Sequence, residues 1–200
     1  MNTKKIVHDA LILTAFTLVL GFLLGAVHEI TADRIEASEL AAEQAAYKDV
    51  FEDGYSFIDY GAVDLEEANA EVAAAGYNDE IIAIKQALDA NNELLGYVFN
   101  VTAKDGSQGS ITFSVGIEAD GTVMGYSITD ISETPGLGDK AKTDEFNDQF
   151  ENKDVENFSV VKDGGSADEE ILAITGATIT SRAVTEGVNS ALLIYNWMPR

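Results

Sequence analysis

Ile111-Thr112-Phe113-Ser114-Val115-Gly116-Ile117 alternates large apolar side chains with small or polar ones without a break. A period of two marks a strand with one face buried. Asp120-Gly121 then turns the chain, and Met124, Tyr126 and Ile128 continue on one face of a returning strand. Upstream, Tyr97, Phe99, Val101 and Ala103 alternate with Val98, Asn100, Thr102 and Lys104. The turn Asp105-Gly106-Ser107-Gln108-Gly109 joins this run to the Ile111 strand. Ile82-Ala83-Ile84 opens one more strand, which ends at a turn over Asn91-Asn92. These runs predict an antiparallel meander with one covered face.

Helical signals surround the meander. Val184, Val188, Ala191, Leu192 and Tyr195 recur at helical spacing near the C-terminus. Thr143 to Phe150 reads as a helix with Phe146 and Phe150 one turn apart, and Asp64 to Ala75 as another by its Ala/Glu content. Phe158–Val161 reads as a strand, Asp163-Gly164-Gly165-Ser166 as a loop and Ile171–Ile174 as a short apolar run. Strands followed by helices give an α+β class rather than alternating βαβ units.

The first thirty residues set where this domain sits. Ala10 to Val27 is uncharged and apolar apart from Thr14 and Thr17. As a helix its 18 residues span about 27 Å, close to the ~30 Å hydrocarbon core of a bilayer. Lys4 and Lys5 precede it, and Glu29, Asp33 and Glu36 follow. The positive-inside rule then places the N-terminus in the cytoplasm and the rest of the chain outside. A cleaved signal peptide shares the basic start, but this apolar run exceeds the usual core of about 7–15 residues, and Ala26-Val27-His28 matches a cleavage site poorly. From Ile35 to Phe51 an Ala/Glu-rich pattern continues the helix beyond the span. The expected organisation is a cytoplasmic N-terminus at 1–9, a transmembrane helix at 10–27, a juxtamembrane helical region at 28–76 and the sheet-containing domain at 77–200.

Composition excludes several chemistries. A net charge of −23 over 200 residues argues against nucleic acid as a partner, because phosphate backbones need Lys and Arg. With no cysteine there is no disulfide, thiolate nucleophile or cysteine-held iron–sulfur cluster. The only histidines, His8 and His28, flank the apolar segment, so the domain beyond it holds no imidazole for a Ser-His-Asp triad or a histidine zinc site. Redox chemistry here requires an organic cofactor.

Two small-residue motifs are candidates for holding one. Thr175-Gly176-Ala177-Thr178-Ile179-Thr180-Ser181 crowds hydroxyls just before the C-terminal helix, a pattern shared by an ordinary helix N-cap and by an anion site. In Glu133-Thr134-Pro135-Gly136-Leu137-Gly138, Pro135 fixes φ and the glycines free the backbone after it, which suits a tight turn or a loop against a flat ligand.

The basic start, the single apolar span, the run from Gly116-Ile117 through Asp120-Gly121 to Glu133–Gly138, and Thr175–Ser181 together resemble the FMN-binding domain family of the Rnf and Nqr ion-translocating electron-transport complexes. Chain length favours the branch formed by the Rnf G subunits over the longer C subunits of Nqr. The resemblance implies an extracytoplasmic FMN-binding domain, with FMN attached covalently through its phosphate to Thr178. Thr175, Gly176, Ala177, Thr180 and Ser181 would surround the phosphate, and the Glu133–Gly138 loop would lie against the isoalloxazine ring. It also implies an electron-carrier role without an acid/base site of its own. The implied partners are the other membrane subunits of an Rnf-type complex, which passes electrons between ferredoxin and NAD while moving Na⁺ or H⁺, and a flavin transferase during maturation. A stand-alone extracytoplasmic flavoprotein, or an acidic anchored scaffold domain without redox chemistry, would carry many of the same features. The family's usual acidic residue three positions before the Ser/Thr is Leu172 here, and its Gly-Tyr-Gly-Gly loop is Gly106-Ser107-Gln108-Gly109.

Overall fold

The computed structural model describes residues 3–164 and 167–199. The end of the loop expected over Asp163–Ser166 falls on Gly165 and Ser166, outside the described residues. The chain divides into two compact units, Met1–Ala41 and Ala42–Arg200.

The first unit is a stretch of helix α1, which runs over Thr3–Val50. This helix contains an 18-residue window of mean hydropathy 2.5, none of it buried, and is long and apolar enough to cross a membrane. The hydroxyls of Thr14 and Thr17 donate back to the carbonyls of Ala10 and Leu13 at 2.9 and 2.6 Å, so neither presents an unsatisfied donor to lipid.

In the second unit, five strands form one antiparallel sheet in chain order. They are β1 (Ser56–Asp59), β2 (Glu80–Leu88), β3 (Leu94–Ala103), β4 (Ile111–Glu118) and β5 (Val123–Ile131). The meander is as the alternation predicts. Tyr97, Phe99, Val101, Ala103, Ile111, Phe113, Val115 and Ile117 all point into one core. Helix α4 (Thr178–Trp197) lies on that face with Val184, Val188, Ala191, Leu192 and Tyr195 buried against it. The approach is close: a Cβ on Gly187 would come within 2.6 Å of the Phe113 ring. Helix α2 (Leu65–Ala74) adds Ala68 and Val72 to the same core. Its N-terminus is capped by the Asp64 carboxylate, which accepts from Glu66 and Glu67 N–H.

The expectation of one covered face is too simple. The last turns of α1 and the residue after it bring Tyr47, Val50 and Phe51 onto the opposite face, against Ala87 and Val98. Glycines in the strands make room, since a Cβ on Gly96 would meet the Phe51 ring at 2.8 Å and one on Gly116 the Val50 side chain at 2.9 Å. A buried polar network registers the contact. The Asn100 amide donates to Tyr47 Oη at 2.7 Å, Ser114 Oγ donates to Asn100 Oδ1 at 2.8 Å, and Glu43 accepts from both Tyr47 and Asn100.

Two expected faces shift at bulges. The β4–β5 register slips between Gly116 and Ile117, with Gly125 at φ +117°, and Met124 packs with the α1 cluster while Val123 and Tyr126 join the main core. A slip between Ile81 and Ala83 puts Ile81 in the core and leaves Ile82 exposed.

The helix expected over Thr143–Phe150 is only one turn, α3 (Asp144–Asn147), preceded by a 3₁₀ turn at Gly138–Lys142. Phe146 and Phe150 are nevertheless buried and meet edge to face at 5.7 Å. Finally, β6 (Ser159–Val161) pairs in parallel with β7 (Glu170–Leu172), a separate two-stranded sheet leading into α4.

Candidate functional site

The loop after β5 and the start of α4 meet in one cleft. Ser107, Glu133, Thr134, Leu137, Gly138, Gly176, Ala177, Thr178, Ile179 and Thr180 line a space of about 300 Å³. Both sequence motifs therefore face the same volume, although 40 residues separate Gly138 from Thr178.

Each motif is held by local bonds. Ala177 N–H donates to Ile174 O at 2.9 Å, closing a turn with Gly176 at φ +82°. Upstream, the Gln149 side chain pairs with the Leu172 backbone, accepting from its N–H at 2.7 Å. The 134–137 turn is closed by Leu137 N–H to Thr134 O at 3.1 Å, and Tyr126 Oη fixes the next turn by donating to Ala141 O at 2.6 Å. Leu137 crosses to the other motif: a Cβ on Gly176 would lie 3.2 Å from its Cδ2.

The donors in the cleft come from the helix start. Helix α4 begins at Thr178 without a side-chain cap, so its first N–H groups lack that partner, and Thr178, Ile179 and Thr180 of this first turn line the cleft. The helix dipole adds partial positive charge there. Thr180 Oγ1 is one of two buried side-chain polar atoms without a partner among the described residues; the other is Asp139 Oδ1. An unpartnered buried hydroxyl beside an uncapped helix start is what an anion would satisfy. Among the described residues no Lys or Arg lines the cleft, so its attraction for an anion comes from N–H groups and hydroxyls. The residues fit a phosphate carried at Thr178, whose side chain is half-buried at the first position of the helix.

Other residues named from sequence stand elsewhere. Ser181 is fully buried, donates to Ala177 O and accepts from Ile174 N–H, both at 3.0 Å. Its hydroxyl fastens the turn rather than facing the cleft. Thr175, Pro135 and Gly136 shape their turns without lining the space. Ile179, 60% exposed, and Ser107 do line it; both stand inside stretches the sequence singles out, the Thr175–Ser181 motif and the 106–109 loop, but neither is itself among the expected site residues.

Comparisons with known proteins identify the family. The family model described as the FMN-binding domain matches residues 106–193, and that of the RnfG N-terminal region matches residues 1–50. The G subunit of the Na⁺-translocating ferredoxin:NAD⁺ oxidoreductase complex of Acetobacterium woodii is 34% identical over 197 residues, covering 98% of this chain and 94% of the relative. The chain belongs to the family of Rnf complex G subunits. Another member, the G subunit of the ion-translocating oxidoreductase complex of Pasteurella multocida, is 32% identical over 96% of this chain and 95% of its own length. The G subunit of the proton-translocating ferredoxin:NAD⁺ oxidoreductase complex of Clostridium ljungdahlii is 42% identical over 106 residues, 53% of this chain and 56% of that one. Among solved structures, the C subunit of the Na⁺-translocating NADH-quinone reductase of Parabacteroides distasonis is 22% identical with a TM-score of 0.49, over 68% of this chain and 67% of that chain. For this Rnf G-type chain, the FMN-binding match encloses the 106–109 turn and all the cleft residues quoted above.

Proposed function

We propose that this protein is the membrane-anchored flavin carrier of an Rnf-type complex, with FMN joined through its phosphate to Thr178 Oγ1. The observation that carries the proposal is the placement of Thr178 at the uncapped start of α4, inside the cleft that joins both motifs, with the unpartnered Thr180 hydroxyl beside it. A threonine ester leaves one negative charge on the phosphate, which the helix N–H groups and Thr180 can meet without a cation. Gly176 and Ala177 keep the approach to that hydroxyl clear of bulky side chains. Leu137 and Ile179, both exposed in the cleft lining, supply apolar surface for a flat ring, beside the polar Thr134 and Glu133 of the same loop as Leu137. When bound, FMN supplies the electron chemistry that a chain without cysteine, and without histidine beyond the anchor, cannot.

The domain stands on the extracytoplasmic side, a reading supported by Lys4 and Lys5 before the apolar segment and the acidic residues after it. Its partners are the other subunits of the complex, which exchanges electrons between ferredoxin and NAD⁺ and moves Na⁺ or H⁺, as the names of its relatives state for them. A flavin transferase attaches the cofactor. With Leu172, 43% exposed, where the family usually has an acid, that enzyme either works less efficiently on this chain or relies on Glu169 or Glu170.

The test is expression of the full chain with a flavin transferase, followed by denaturing electrophoresis. Flavin fluorescence should comigrate with the wild-type chain and be absent from Thr178→Ala, whose circular dichroism should remain that of the wild type. A fluorescent Thr178→Ala band would refute the attachment site.

A further inference from the structure

Glu133 is a carboxylate only 9% exposed, in a wall of the cleft and with no Lys or Arg among the other lining residues. Its Oε1 accepts from Ser107 N–H at 2.6 Å and from Gln108 N–H at 3.3 Å. These two donors belong to the turn before β4, 26 and 25 residues away in sequence. The turn is packed onto the same carboxylate, since a Cβ on Gly106 would lie 3.2 Å from Glu133 Oε1. On the other side, a Cβ on Gly138 would meet Glu133 Oε2 at 2.7 Å and Thr180 Oγ1 at 2.8 Å. One carboxylate thus bonds to the 106–109 turn from the 133–138 loop, and Gly138 stands between it and the Thr180 hydroxyl in the first turn of α4. Desolvating a carboxylate there has a cost that an apolar side chain would avoid, and the two backbone N–H bonds offset it.

We propose that Glu133 is the positioning residue of the flavin cleft: its carboxylate pins the 106–109 turn as one wall and places a fixed negative charge in the site where the cofactor is reduced. The inference rests on the flavin reading above. Two consequences follow from the bonds themselves. Ser107 lines the cleft without an aromatic side chain, so the position of this wall depends on the carboxylate that holds the Ser107 and Gln108 backbone. And a charge in a cleft poor in cations opposes the uptake of further negative charge on reduction, which holds the cofactor's potential down.

The experiment uses the full chain in detergent, loaded with flavin in cells, as wild type, Glu133→Ala and Glu133→Gln. Loading is read as gel fluorescence. The wall is read by amide hydrogen exchange at 106–109 and by visible circular dichroism of the flavin, and the charge by the midpoint potential. In Glu133→Ala the Ser107 and Gln108 amides should exchange roughly tenfold faster or more, with a weakened visible dichroism and a raised potential. Glutamine keeps an acceptor oxygen without the charge. Glu133→Gln should therefore retain the exchange protection and dichroism of the wild type while its potential rises, which separates the charge from the fold even if the alanine variant fails to fold.

Loaded variants with wild-type exchange, dichroism and potential would overturn this inference and leave the flavin reading standing. So would a Glu133→Gln potential equal to that of the wild type. A dark wild-type band beside an active transferase would refute the flavin reading itself, and this inference with it.

Discussion

Thr180 carries a hydroxyl that is 1% exposed and has no partner among the described residues. Leaving such a group unsatisfied costs about 1–3 kcal/mol. On the proposed attachment, a phosphate at Thr178 would relieve that cost, which the flavin-free protein would bear. Thr180→Val keeps the shape and deletes the hydroxyl, so it should raise the melting temperature of the flavin-free chain and lower that of the flavin-loaded one. Differential scanning calorimetry on both forms checks this; a lower melting temperature in both would mean the hydroxyl already has a partner. The sequence shows four hydroxyls between Thr175 and Ser181 but not which of them face a ligand. Helical spacing alone does not decide it, because Thr178 and Thr180 stand about 200° apart around the helix while Ser181 lies within about 60° of Thr178. The turn before the helix decides it, by engaging the Ser181 hydroxyl. Thr178 and Thr180 line the cleft, whereas Ser181 turns inward to fasten the 174–177 turn. Glu133 is legible as part of a ligand loop, but its bond to Ser107 joins two loops with no local signature of contact.

Elements built from local periodicity are legible in the sequence, and those set by distant pairing are not. The alternation in β3 and β4 and the apolar stripe of α4 carry their own geometry. The bulges at β2 and β5, the parallel β6–β7 pair and the shortness of α3 depend on partners elsewhere. One such partnership gives a pH dependence. Asp79, just before β2 and 7% exposed, accepts from Ser190 Oγ on α4 at 2.7 Å. Burial pushes its pKa up to about 6, opposed by the Ser190 bond and Lys104 and aided by Glu186 and Asp105. A raised carboxylate pKa means the folded state holds its proton more tightly. The stability this contributes is complete below about pH 4, the usual carboxylate value, and is lost as pH rises through about 6. Asp89 and Asp120, held low by backbone N–H groups of Glu93 and Thr122, have the opposite sign, but they act below that window. Asp79→Asn keeps an acceptor for Ser190. It should flatten the fall in stability between about pH 4 and 6 and raise the melting temperature at pH 7.5 by roughly 2–8 °C. An unchanged pH profile would show that Asp79 titrates as it does when unfolded.

At the scale of the whole molecule, the sheet is stable because both faces are covered, and the second cover comes from chain that reads as a tether. Tyr47, Val50 and Phe51, in the final turn of α1 and just beyond it, fill the face opposite α4. Strand β1 extends the sheet from Ser56 to Asp59, and α2 is joined to β2 by Asn69, which exchanges hydrogen bonds with Ile81 N–H and O at 2.8 and 2.9 Å. Composition conceals these roles, because an Ala/Glu-rich helix with a thin apolar stripe looks the same whether it is solvated or docked. Burying three large side chains contributes roughly 5–9 kcal/mol, comparable with the whole stability of a domain of this size. A chain beginning at residue 42 should therefore be soluble and unfold in one cooperative transition. A chain beginning at residue 77 retains β2–β5, both cleft motifs and α4, yet exposes Ala87 and Val98 and loses the Asn100 partners Glu43 and Tyr47. It should aggregate or melt without cooperativity. Urea titration of the two truncations decides the matter: equal midpoints would mean that the end of α1 rests on the sheet without stabilising it, and that the flavin domain is complete without its tether.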